Sequence, residues 1–169
     1  VQNMISLSFP LAALSKRTAL EEIMKTNELS HRYGLILTEK DAIDLVETRN
    51  GALQANGRIE IGSGTIGQII VSFCSSSFIW QENYVQTLHD LVEAFYYLKN
   101  ETLDLLPDDD LIKLMRDYFE NRCKGSLELL FNRDLEQLAR NLRYGVEDYA
   151  NLDEVSEDPE DYLDEEEMF

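Results

Sequence analysis

The chain has 169 residues, with 33 acidic against 15 basic side chains, a formal net charge of −18 and 44% hydrophobic residues. That composition supports one domain with its own core and is too short for two. Acidity this strong argues against nucleic acid or an anionic membrane surface as a partner, because both require a cationic footprint. No apolar run approaches the roughly eighteen residues a membrane span needs. Val1-Gln2-Asn3-Met4-Ile5 lacks a basic lead and is soon interrupted by Pro10, so it does not read as a secretory signal. Cys74 and Cys123 form neither a CxxC pair nor a disulfide framework; both are expected as small buried hydrophobes, and the reducing cytoplasm is the expected compartment.

In chain order, Thr18-x-x-Glu21 predicts a capping box opening a helix with Leu20, Ile23 and Met24 on its apolar face, ending near Gly34. Thr38-x-x-Asp41 opens a second, with Ile43, Val46 and Leu53 inward and Asn56-Gly57 as its stop. After a glycine-rich turn, Ile66, Ile69, Ile70, Phe73 and Cys74 share one helical face. Tyr84, Leu88, Leu91, Val92, Phe95 and Leu98 mark a long amphipathic helix between Ser77 and Asn100. Pro107 and three aspartates start another, with Leu111, Leu114, Met115 and Tyr118 inward. Ser126 caps a last helix whose Leu127, Leu130, Phe131, Leu135, Leu138 and Leu142 read as one continuous stripe, stopped by Gly145. The expected fold is all-α: a small bundle of about five to six amphipathic helices with a short Gly-rich turn. It occupies residues 1–146 as a single domain, with 1–14 as an irregular lead-in.

The one recognisable chemical pattern is Gly62-Ser63-Gly64-Thr65-Ile66-Gly67, a G-x-G-x-x-G. Such glycines let backbone amides approach a phosphate at a helix N-terminus. The preceding Arg58-Ile59-Glu60-Ile61 alternates, however, where a first strand of a dinucleotide-binding fold is apolar throughout. A glycine turn leading into a core helix is the simpler reading. A phosphate-bearing ligand at Arg58, Gly62, Gly64, Thr65 and Gly67 is the alternative. Glu28 and His31 stand at i and i+3 as in half of a di-metal site, but no second Glu-x-x-His accompanies them. His31 is expected at a helix C-terminus and His89 beside Glu93. No catalytic residue, metal site or cofactor is predicted. Arg49, Asn50, Asn56, Arg58 and Glu60, with Gln81, Glu82, Asn83 and Tyr84, form polar clusters that would make a pocket if they converged on Gly62 to Gly67.

Residues 147–169 hold twelve of the acids and no Lys or Arg, which leaves only −6 for the rest of the chain. Like charges and scarce apolar area predict a solvated, disordered acidic tail. Its Tyr149, Tyr162, Leu163, Met168 and Phe169 are interleaved with the acids, as in segments that dock a few apolar anchors on a partner.

The stretch from Asn27 to Gly145 resembles an uncharacterised family of small bacterial proteins known only as a domain of unknown function. The likeness rests on Asn27-Glu28, Tyr33-Gly34-Leu35, Leu37-Thr38, Val46-Glu47-Thr48-Arg49-Asn50, Asn56-Gly57-Arg58-Ile59-Glu60, Gln81-Glu82-Asn83-Tyr84, Tyr96-Tyr97-Leu98-Lys99-Asn100-Glu101-Thr102 and Gly125-Ser126-Leu127-Glu128. It implies a small cytoplasmic bacterial protein and supplies no activity, cofactor or catalytic residue. The expected function is a non-enzymatic interaction module whose acidic tail engages a basic protein partner. A protein that binds, or an enzyme that acts on, a phosphate-containing small molecule at the glycine turn is the alternative. Neither nucleic acid nor membrane is expected as a partner, and the oligomeric state is left open.

Overall fold

The computed structural model describes residues 15–55, 57 and 62–144, and among these every regular element is helical. α1 covers residues 15–25. α2 (Asn27–Ser30) follows and runs into a 3-10 turn, His31–Tyr33. α3 (Glu39–Ala55), α4 (Thr65–Phe73) and α5 (Gln81–Glu101) come next. α6 (Asp108–Asp117) continues into a π-helical turn, Tyr118–Arg122. α7 (Leu127–Leu129), a second π-helical turn, Leu130–Asp134, and α8 (Leu135–Arg143) form the last helical rod. α5 is the central member and packs against α3, α4 and α8, while α4 also packs against α6. No helix among the described residues is long and apolar enough to cross a membrane.

Local chemistry sets several of these ends. At α3 the Thr38 hydroxyl accepts from the Asp41 amide at 3.1 Å and the Asp41 carboxylate accepts from the Thr38 amide at 2.9 Å, the reciprocal capping box the sequence predicts. Ahead of it the chain leaves the 3-10 turn through Gly34, with the Leu35 amide donating to the Ser30 carbonyl and the Gly34 amide to that of His31. This paired pattern closes helix C-termini. The Asn83 side chain accepts from the Trp80 amide to start α5, and the Ser126 hydroxyl accepts from the Leu129 amide to start α7. α1 differs from expectation: Thr18 lies inside the helix, which is already formed at residue 15.

The predicted stripes supply the core. Ile66, Ile69, Ile70, Phe73 and Cys74 are all buried, as are Tyr84, Leu88, Leu91, Val92, Phe95 and Leu98. On α3 the buried face is Ala42, Leu45, Val46, Arg49 and Leu53, so Ile43 faces outward instead of inward. Arg49 takes the core place on this face, where it donates to the Gly62 carbonyl. The last stripe is not continuous. The π-helical turn adds a residue to the local repeat, so that Asp134 is buried while Phe131 is only partly covered. On α6 Leu114 is likewise only partly buried, and Ile112 takes an inward place beside Leu111 and Met115.

Two polar side chains brace the rods from within. Lys99, at 6% exposure, donates to the Leu106 carbonyl and pairs with Asp108 at 2.8 Å, tying the end of α5 to the start of α6. Arg116 donates to the Ser72 carbonyl and the Ser75 hydroxyl, closing the end of α4 against α6.

Candidate functional site

The glycine turn is where distant parts of the chain meet. Gly62 has φ +72° and Gly64 φ +45° with ψ −123°, conformations an L side chain adopts only under strain. The sharp reversal turns the Ser63 amide and hydroxyl toward α1 at the entrance to α4. Both donate to one carboxylate oxygen of Glu22 on α1, the amide at 2.7 Å. A Cβ on Gly62 would stand 3.1 Å from that same oxygen, so the glycine also makes room for the carboxylate. Behind the turn Arg49, 2% exposed, donates to the Gly62 carbonyl, with its Nε 3.3 Å from the Asn50 side-chain oxygen.

Electrostatically this is a closed arrangement. The Ser63 hydroxyl and then its amide hold the Glu22 carboxyl below its ordinary range, burial opposes them weakly, and the Arg49 charge adds to the lowering. The Glu22 carboxylate stands where a helix N-terminus would otherwise attract an external anion. The turn is therefore latched from inside.

Beside the latch lies an open groove of about 720 Å³, bounded by α1, α2, α4 and α6. Leu29, Val71 and Ile112 form its apolar floor, and Ser63, Gly64 and Gly67 line the end nearest the turn. Its charged rim is mixed: Glu22, Glu28 and Asp109 against Lys25 and Lys113. Of the sequence-predicted ligand residues, Gly64 and Gly67 face this groove, whereas Gly62 and Thr65 are buried at the turn. Arg58, with Asn56 and Glu60, lies outside the described residues, as do Tyr149, Tyr162, Leu163, Met168, Phe169 and the rest of the acidic tail. Among the described residues the predicted polar convergence is met in part. Arg49 reaches the turn, but Gln81 bonds the amide and carbonyl of Ile36 instead. Glu22, the residue that completes the latch, was not singled out by any sequence pattern.

A second buried polar centre joins the two π-helical turns. Asp134, 2% exposed, accepts from the Cys123 thiol at 2.8 Å and from Arg133 at 3.0 and 3.1 Å, with Arg122 at 3.4 Å. Burial pushes the Asp134 carboxyl up, but the Arg133 hydrogen bonds, the thiol and the Arg122 charge outweigh it and the net shift is downward. Burial, reinforced by the hydrogen bond to Asp134, pushes the Cys123 thiol up to about 12. Cys74 is raised as well, chiefly by burial. Both thiols are thus held protonated, the opposite of what a nucleophile requires. The histidines also have structural partners: His31 Nδ1 lies 3.0 Å from the Asn27 carbonyl at its helix end, and His89 Nδ1 meets the Thr48 hydroxyl at 2.8 Å instead of Glu93. Among the described residues no cluster of His, Cys, Asp and Glu has the makings of a metal site.

These features define a small all-α domain organised around an internally latched glycine turn beside an open groove. The chain belongs to DUF6323, a family of unknown function whose sequence profile matches residues 22–148. No curated protein and no solved structure matches it.

Proposed function

We propose that the protein is a non-enzymatic interaction module of the bacterial cytoplasm, in which the acidic tail, residues 147–169, engages a basic protein partner and the helical body supplies the scaffold. The observation that carries this reading is the Glu22 carboxylate on the Ser63 amide and hydroxyl, because two of the donors a phosphate ligand at this turn would use already serve an internal anion. Twelve carboxylates in 23 residues provide a long-range attraction for a cationic surface, and the interleaved aromatic and aliphatic side chains provide the short-range anchors.

The test is capture from native lysate by the full chain and by a full-length variant with the twelve tail acids changed to Asn or Gln, at low and moderate salt. A basic protein retained by the first, lost with the second and weakened by salt is the expected result. Identical captures by both proteins contradict the reading.

One observation favours a second reading: the groove of about 720 Å³ opens on Ser63, Gly64 and Gly67. A phosphate-bearing small molecule there would have to displace Glu22 and would find Lys25 and Lys113 as its cations. Gly64→Val is a poor probe of this alternative, since the backbone at Gly64 excludes Val and the variant would report folding instead. Lys113→Glu, at an exposed groove position, is the informative substitution.

A further inference from the structure

A second groove, of about 360 Å³, runs between α5 and α8. Ala94 and Leu98 from α5 and Phe131 and Leu135 from the last rod form an apolar floor. Tyr97 stands at its edge, 50% exposed, with its hydroxyl donating to Glu136 at 3.2 Å. Asp90, Glu93 and Glu136 make up the charged part of the lining, and no Lys or Arg is found among the described residues that line it. Of the bases on these elements, Lys99 pairs with Asp108, Arg133 with Asp134 and Arg143 with Glu101, while Arg140 stands exposed on α8 four residues after Glu136 and outside the lining.

An apolar floor under a rim of one sign specifies its occupant better than the mixed rim of the larger groove. We propose that the α5–α8 groove is the body's docking site for a basic amphipathic protein segment, one that sets an apolar side chain on the floor and places Lys or Arg against Asp90, Glu93 and Glu136. This rests on the interaction reading above and deepens it by naming the surface the basic partner meets. Two independent features agree. The wall that carries Phe131 and Asn132 is the π-helical turn, a costly local geometry frequently found at functional sites, and it is this turn that leaves Phe131 partly uncovered. The same rod also leads into the acidic stretch. Leu135 and Tyr144 are separated by about 14 Å of helix at 1.5 Å per residue, and the twelve acids begin three residues later in sequence. A partner seated in the groove would therefore lie along the helix whose last described residue, Tyr144, comes three positions before the first tail acid in sequence. A half-exposed tyrosine beside desolvated aliphatic side chains is the usual make-up of an interface centre.

The experiment is fluorescence anisotropy with two labelled peptides of equal length and charge, one an amphipathic helix of Leu and Lys, the other with Ser in place of every Leu. Each is titrated with the full chain, with Ala94→Trp to fill the floor, with Glu93→Lys to reverse the rim at an exposed residue, and with the neutralised tail. The expected result is tighter binding of the Leu-containing peptide to the wild type, weakened at least tenfold by Ala94→Trp and by Glu93→Lys. Circular dichroism melts show whether either variant has lost its fold. No binding to the wild type, equal binding of the two peptides, or full binding by both groove variants overturns the proposal. So does concentration-dependent self-association lost in Ala94→Trp, which would make a second copy the occupant. If tail neutralisation abolishes binding while the groove variants bind normally, the groove fails and the tail reading stands. If the groove variants lose binding while the neutral tail does not, the groove stands and the tail reading fails.

Discussion

Replacing Arg49 with Ala should lower the free energy of unfolding by about 2–5 kcal/mol, the scale of a large-to-small change in a core that also loses a hydrogen bond from a charged group. The side chain is 2% exposed, donates to the Gly62 carbonyl and places its charge behind Glu22, so truncation removes the bond that fixes the turn and leaves a cavity in the α3 face. Arg49→Met retains most of the aliphatic volume and removes the charge and the donor. It should cost less, about 2 kcal/mol, the scale of a hydrogen bond involving a charged group. Glu22→Gln should cost about 1 kcal/mol or less, because Glu22 is exposed and its attraction to Arg49 is screened by solvent. Urea unfolding of the three variants checks the order. If Arg49→Ala is within about 1 kcal/mol of wild type, the buried guanidinium does not hold the turn.

The second large effect is expected at Gly125, which links the first π-helical turn to α7. Its φ is +81°, and an added Cβ would stand 2.4 Å from the Phe78 Cβ and 2.6 Å from its Cγ. Phe78 cannot simply swing aside, since its ring packs edge-on against Phe119 at 6.3 Å, and Phe119 in turn packs against Phe73 at 5.5 Å. Left-handed backbone with a side chain costs about 1–2 kcal/mol and overpacking a further 1–3 kcal/mol. Gly125→Ala should therefore destabilise by roughly 2–5 kcal/mol. Gly51→Ala is the internal control. Gly51 lies within α3, has no left-handed φ, and has nothing within 4 Å of a built Cβ. That substitution should stabilise by about 0.5–1 kcal/mol through helix propensity. Denaturant midpoints moving in opposite directions for the two glycines would bear out the geometry, and similar midpoints would contradict it.

The all-α bundle was legible because its stripes recur every three to four residues, and burial of one face is a local property of each helix. The capping box at Thr38 and Asp41 and the Ser126 cap were legible for the same reason, each being settled within four residues. Where the periodicity was read too simply, a polar residue had taken a core place. Ile43 was expected inward, but Arg49 completes the face with Ala42, Leu45, Val46 and Leu53. The spacing of Arg49 within that stripe was the available signal. The broken final stripe is similar, because a π-helical turn shifts the register by a residue while leaving the leucine spacing looking regular. The latch was beyond local pattern altogether: Glu22 and Ser63 are 41 positions apart, and nothing near Glu22 marks it among so many carboxylates. The Cys123–Asp134 contact had no spacing rule to announce it either, and only the burial of Cys123 was foreseen.

Whether the Ser63 donors serve Glu22 or an incoming anion separates the interaction reading from the small-molecule alternative. A differential scanning fluorimetry titration of the full chain with pyrophosphate and with ADP measures this most directly, since a ligand that binds only the folded state stabilises it by RT ln(1 + [L]/Kd) and raises the melting temperature progressively with concentration. With the Ser63 donors already occupied by Glu22, no concentration-dependent stabilisation of the wild type is expected. A concentration-dependent rise in melting temperature that disappears in Lys113→Glu and persists when the tail acids are neutralised would contradict the latch as a purely internal contact and make the glycine turn a ligand site.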